Sequence, residues 1–199
     1  MKITAIKQQV KNPQRVSVFV DGKYGFSLSL AELADARLTN NQELAASEVE
    51  KFKKLSADGK LRQRALEWLL NRPHSSREFK DYMYRKKADP KLAEKLAKEF
   101  ARKGYLDDAK FAQWLIDLHQ RRAKSNRAIR SELFKKGVAR EIIEAQVPGD
   151  ETERLKNLIA KKRQSSRYKN DPLKLAQYLV AQGFSYSLVK EALSVEAED

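Results

Sequence analysis

Between residues 99 and 138 the apolar positions fall into a pattern that the rest of the chain repeats. After Asp107-Asp108, the residues Phe111, Trp114, Leu115 and Leu118 stand at i, i+3, i+4 and i+7. That spacing predicts a helix with one inward apolar stripe and a polar outer face. Ser125 then offers a cap to a second helix carrying Ile129 and Leu133, and Gly137 closes it where a left-handed residue is wanted. A third helix follows with Ile142 and Ile143. Upstream the same order reads Ser75, Phe79, Met83, Lys87-Ala88, Leu92-Ala93; downstream it reads Asp171, Leu175, Leu179, Gly183-Phe184, Leu188-Val189. The caps recur at offsets of 50 and 46 residues, a period that signals stacked units, none of which buries its apolar stripe alone.

The first residues follow a different rhythm. Ile3 to Val10, Arg15 to Val20 and Lys23 to Leu28 are β-branched or alternating runs, separated by Asn12-Pro13 and Asp21-Gly22. Asp-Gly between two such runs predicts a tight hairpin, and so a small three-stranded antiparallel meander. Ser29 to Glu32 is a capping box for a short helix through Ala36 that would cover the sheet. A second box at Ser47 to Glu50 opens a helix reaching Arg72, with Asp58-Gly59 as a candidate break. A third lies at Ser75 to Glu78, and Asp89-Pro90 opens the following helix, which Gly104 ends. Val147-Pro148-Gly149-Asp150 reads as a turn, Glu151 to Arg167 as one helix, and Ser185 to Val195 as a last helix that frays into Glu196-Ala197-Glu198-Asp199. The expected fold is mainly α: three tandem three-helix repeats in an elongated, curved solenoid, preceded by the β-meander and its helix. The expected segments are 1–46 (meander and short helix), 47–104 (linking helix and repeat one), 105–148 (repeat two) and 149–199 (repeat three).

Charge changes this picture more than composition does. The formal net charge of +14 marks a polyanion or an acidic surface as the natural partner, with bare solubility as the alternative. The chain has no cysteine, which removes disulfides, thiolate zinc sites and cysteine nucleophiles together. No apolar run approaches a membrane span and no N-terminal apolar leader is present, so a cytoplasmic protein is expected. His74 and His119 have no convergent partner at metal or triad spacing and read as solvated or capping residues. Asp107-Asp108 reads as a helix cap rather than a catalytic pair. With no phosphate-binding loop either, the chain reads as no enzyme and as needing no cofactor or metal.

Trp68 and Trp114 lie on apolar stripes and read as core. Tyr82 and Tyr84, two residues apart on a helix, cannot both face inward. Arg121, Arg122, Lys124, Arg127 and Arg130 cluster across one interhelix connection. Lys161, Lys162, Arg163, Arg167 and Lys169 recur one repeat later, and Arg85, Lys86 and Lys87 stand beside Tyr84. Taken singly, each cluster is a solvated face. Recurrence along stacked repeats makes them candidates for one extended contact, because stacking aligns equivalent positions.

Gly104-Tyr105-Leu106-Asp107-Asp108, Phe111-Ala112, the basic stretch after them, Ile129, Leu133 and Lys136-Gly137-Val138 resemble the signature of the RecX family, regulators of the RecA recombinase. Ala65-Leu66 to Leu70, Arg72 and Ser75-Ser76-Arg77-Glu78 resemble that family's first repeat, and the meander around Asp21-Gly22 and Tyr24 is similar to the extension of its longer members. The resemblance spans nearly the whole chain. Lys87-Ala88 departs from it where repeat two keeps Gly-Val, and repeat three is weaker throughout. It implies a monomeric regulator that binds the RecA nucleoprotein filament and inhibits its ATP hydrolysis, strand exchange and co-protease activity, limiting recombination and the SOS response. The basic clusters and Tyr84 would then be the contact residues. The alternative is a basic helical protein that binds single- or double-stranded DNA directly.

Overall fold

The computed structural model describes residues 1–195, so the expected fraying of residues 196–199 lies outside the described part. Strands β1 (Ile3–Gln9), β2 (Asn12–Val20) and β3 (Lys23–Ser29) form an antiparallel sheet in the order β1-β2-β3. Asp21 and Gly22, at φ 49° and 78°, make the primed hairpin turn that their sequence demands. Helix α1 (Leu30–Ala36) starts on a complete capping box, with Ser29 accepting from the Glu32 amide and Glu32 from the Ser29 amide.

Helix α1 buries none of its own residues, so the expected sheet cover comes mainly from α2 (Ala46–Asn71). Val49 of α2 is buried in the sheet core, and Phe52 stacks on Phe26 with centroids 5.2 Å apart. The cap of α2 lies two residues earlier than expected: Glu48 reaches back to the Ala45 amide at 2.8 Å. Gly59 does not break α2. A Cβ there would stand 3.0 Å from the Glu32 carboxylate and 3.3 Å from the Arg15 guanidinium, so the glycine lets the helix pass over buried Arg15. Arg15 donates to the Ser27 carbonyl at 3.0 Å, and Ser56 of α2 accepts from the Ser27 amide at 3.1 Å. Residues 1–71 and 88–96 form one compact unit; residues 72–87 and 97–195 form the second. The long helix is thus grouped with the sheet.

The second unit holds α3 (Ser76–Arg85), the end of α4 (Pro90–Arg102), α5 (Asp108–Arg121), α6 (Asn126–Lys135), α7 (Arg140–Gln146), α8 (Thr152–Arg163), α9 (Ser166–Lys169), α10 (Pro172–Ala181) and α11 (Tyr186–Val195). Helices α5 to α7 close a core of Phe111, Ala112, Leu115, Ile116, Ile129, Leu133, Val138, Ile143 and Val147. Trp114 is only half-buried, with the Arg72 guanidinium 4.8 Å from its ring centre, and Leu118 is also partly exposed; Ile116 takes the deep position instead. Trp68 is likewise only half-buried. The expected single helix from Glu151 to Arg167 is two: α8 stops at Arg163, and the short α9 turns Tyr168 inward against Tyr178, 5.4 Å between centroids.

Each second helix meets the next at the same joint. Ser75 caps α3 and donates its hydroxyl to the Lys136 carbonyl at the far end of α6, 2.8 Å away. At the next joint the Ser125 amide donates to the Gln182 carbonyl at the far end of α10, 3.0 Å away. An acid from the following first helix completes each contact: Asp108 accepts from the Ser76 amide at 2.7 Å and Glu151 from the Asn126 amide at 2.6 Å. Asp107, not Asp108, is the cap of α5. Gly137 and Gly183 hold φ 76° and 100°, and a Cβ would lie 2.8 Å from Arg77 and 2.5 Å from the Ser125 hydroxyl, respectively. Lys87 takes the same left-handed turn at φ 54° at the end of α3.

The first joint also contains ions. Glu78 accepts from Arg72 at 3.0 Å, pairs with Lys136 at 3.0 Å, and lies 3.1 Å from Nδ1 of His74. His74 is therefore buried against a carboxylate rather than solvated or capping. Burial alone would push the Glu78 carboxyl up, but the bonds from Arg72 and Lys136 outweigh it and hold the pKa at about 2.

Gly183→Ala should destabilise by about 2–4 kcal/mol in urea titration, since it adds both a left-handed penalty and a clash. Lys87→Gly should instead be neutral or stabilise by up to about 1 kcal/mol, because it relieves the same backbone strain with nothing to clash against. A second outcome concerns pH. Glu78 is more acidic folded than unfolded, so its contribution is full above the ordinary carboxylate value of 4.5 and is lost as pH falls toward 2. The stability gap between the parent and Glu78→Gln, on the order of 1–2 kcal/mol at neutral pH after allowing for solvent screening, should close across that window.

Candidate interaction face

The basic residues singled out in the sequence divide by what they touch. Arg130 donates to the Val147 and Pro148 carbonyls at 3.1 and 2.9 Å, and Arg127 donates through Nε to the Gly183 carbonyl at 3.2 Å. Arg127 therefore helps to hold repeat two on repeat three, and Arg130 ties α6 to the turn that ends repeat two. Lys162 sits 4.8 Å from the Tyr178 ring centre, Arg167 5.5 Å from that of Tyr168, and Lys86 5.5 Å from that of Tyr82. Lys124 is half-buried, and Arg163 is also partly covered. Arg121, Arg122, Lys161, Lys169, Arg85 and Lys87 are exposed, and among the described residues no carboxylate lies within ion-pair distance of them. Burial lowers the pKa of half-buried His119, the Glu132 carboxylate raises it, and neighbouring Arg122 and Lys124 lower it further.

Tyr82 is buried and Tyr84 is 85% exposed, as the helix geometry requires. Phe134, which the hydrophobic spacing alone does not single out, is 72% exposed. A signal for it exists in the repeat register: Tyr84 and Phe134 stand nine residues after their caps, Ser75 and Ser125. The same count places Arg77 beside Arg127 at the second position and Lys80 beside Arg130 at the fifth. Positions two, five and nine lie on one side of a helix, so the outer sides of α3 and α6 share an Arg, a second cation and an aromatic ring. In α10 the equivalent residues are Leu173, Ala176 and Val180, so repeat three lacks the pattern.

No group of acidic, histidine or cysteine side chains among the described residues has the arrangement of a metal site. A cavity of about 240 Å³ lies between α6 and the start of α8, lined by Asn126, Pro148, Glu151 and Arg154 among others. Arg154 donates there to Asn126 and Glu151, both at 2.7 Å, which makes the site part of the joint. No described helix is long and apolar enough to cross a membrane.

Comparison with known proteins agrees with this architecture. A profile described as the regulatory protein RecX N-terminal domain matches residues 1–45, and one for the RecX second three-helix domain matches residues 107–145. A regulatory protein RecX from Listeria welshimeri is 32% identical over 206 aligned positions, covering 99% of this chain and 76% of the relative. One from Lactobacillus johnsonii is 36% identical over 143 positions, 71% of this chain and 52% of the relative. A crystal structure of a regulatory protein RecX has a TM-score of 0.69 over 97% of this chain and 98% of that one, at 23% identity, and shares the fold. These relatives are named as regulatory proteins. With a relative above 30% identity aligned along nearly its whole length, the chain belongs to the RecX family of regulatory proteins.

Proposed function

We propose that the protein binds the RecA nucleoprotein filament in the cytoplasm and inhibits its ATPase, recombinase and co-protease activities, restraining recombination, repair and the SOS response. The likeness to RecX relatives along nearly the whole of this chain carries this reading. The charge distribution supports it. Exposed cations without carboxylate partners recur on both stacked repeats and in α8, and a filament is a long, repeating array of anionic surface and phosphate. Repeats that engage such an array together gain from effective concentration, since each later contact is intramolecular.

The proposed contact residues are Arg121, Arg122, Lys124, Lys161, Lys162, Arg163, Arg167, Arg85, Lys86, Lys87 and Tyr84, together with Arg127 and Arg130. The last two also hold a joint, so their removal would mix binding with folding. The clean test reverses Arg121, Arg122 and Lys161 to Glu, all exposed. Circular dichroism and the denaturation midpoint should stay within about 0.5 kcal/mol of the parent, as expected for surface charge changes. The concentration needed to halve RecA ATPase on single-stranded DNA should rise at least tenfold. A folded variant inhibiting at the parent concentration would move the contact away from these clusters.

A further inference from the structure

From the recurrence on α3 and α6 we infer that the protein carries two equivalent stacking subsites for single-stranded nucleic acid, centred on Tyr84 and Phe134. The rings protrude, 85% and 72% exposed, at the same position of successive repeats. Around each ring the helix presents cations. Lys80 lies one turn before Tyr84, with Arg77 a turn earlier and Arg85 and Lys87 after it; Lys135 follows Phe134, while Arg127 and Arg130 before it keep their charge near the ring but donate to backbone carbonyls. Asp81 is the carboxylate on the α3 side, and Ser131 takes its place on α6.

A lone ring among cations suits a base flanked by phosphates. Anchors of protein interfaces sit instead among other apolar contacts that exclude water. No other large apolar residue of α3 or α6 is exposed. The joint also fixes the spacing of the subsites. Gly137, past the end of α6, packs on Arg77 at the start of α3, so successive repeats are offset by about one length of α3, roughly 15 Å at 1.5 Å per residue. That distance is within reach of a few nucleotides of one strand. Repeat three, with Leu173, Ala176 and Val180, offers neither ring nor charge and adds no third subsite.

The test uses the full chain and a fluorescein-labelled oligothymidylate, read by anisotropy across a salt series, with a duplex of equal length alongside. Tyr84→Ala and Phe134→Ala should each weaken single-strand binding about 5- to 100-fold, the effect of removing one stacked base. The slope of log affinity against log salt should stay unchanged, because both variants keep every cation. Lys80→Gln with Lys135→Gln should flatten that slope by about 0.7 for each phosphate that is no longer neutralised. Phe134→Trp should retain binding while Phe134→Leu weakens it as far as Phe134→Ala does, which separates a π-face from a merely apolar anchor. All these side chains are exposed, and circular dichroism serves as the folding control. Full binding by the Leu variant, an equal weakening on duplex, or single-strand affinity untouched by the Ala variants while association with RecA filaments falls would each overturn the inference. Because the oligonucleotide assay contains no RecA, its result stands apart from that of the inhibition assay.

Discussion

The geometry of the second unit depends on how one helix end meets another. Every helix leaves its first amides and last carbonyls without partners inside the helix. In an isolated three-helix unit, water would satisfy them; here the carbonyl end of one second helix is joined to the amide end of another. Ser75 and Ser125 serve their own helices and, through side chain or backbone, the next repeat's second helix as well. Since buried polar groups are costly when unpaired, the joint tolerates little sliding, and orientation follows from hydrogen bonding as much as from apolar packing.

Much of this was legible in the sequence. The recurring second helix, the primed hairpin and the caps at Ser29, Ser75, Ser125 and Asp171 follow from local chemistry, and each appears where its residues place it. What escaped was whatever depended on a neighbour. Asp-Gly ordinarily weakens a helix, yet Gly59 stays helical because α2 must pass close over Arg15. Trp114 keeps the spacing of a core residue but lies at the margin, where Arg72 covers it. Asp108 and Glu151 look like ordinary first-turn acids, and only the structure shows them reaching back to another repeat. The interaction face was half legible: Tyr84 was found by asking which way two nearby tyrosines point, and Phe134 required comparing repeats position by position.

The excess positive charge turns out to have two uses. Arg127, Arg130 and Arg154 spend their donors on carbonyls and side chains at the second joint, where the planar guanidinium can reach several acceptors at once. Others stay in solvent, and some of these, such as Arg121 and Lys161, stand in the last turn of a helix, where they also offset the negative pole of the helix dipole. A count of basic residues therefore overstates the charge available to a partner.

Stacked joints of one kind pose the problem of any one-dimensional assembly: nothing in the joint itself says when to stop. Two residues supply the answer. At the carbonyl end of α3, the left-handed position holds Lys87 rather than glycine, so a further cap seated there as Ser125 is on Gly183 would meet a side chain. At the amide end of α10, the first helical residue is Pro172, which has no N–H to offer where Ser76 and Asn126 each donate one to an acid of the following repeat. The stack is thus blunted at both ends, one by an added side chain and the other by a missing hydrogen. The bonds that join one repeat to the next within the chain thus have no counterpart at either end of the stack.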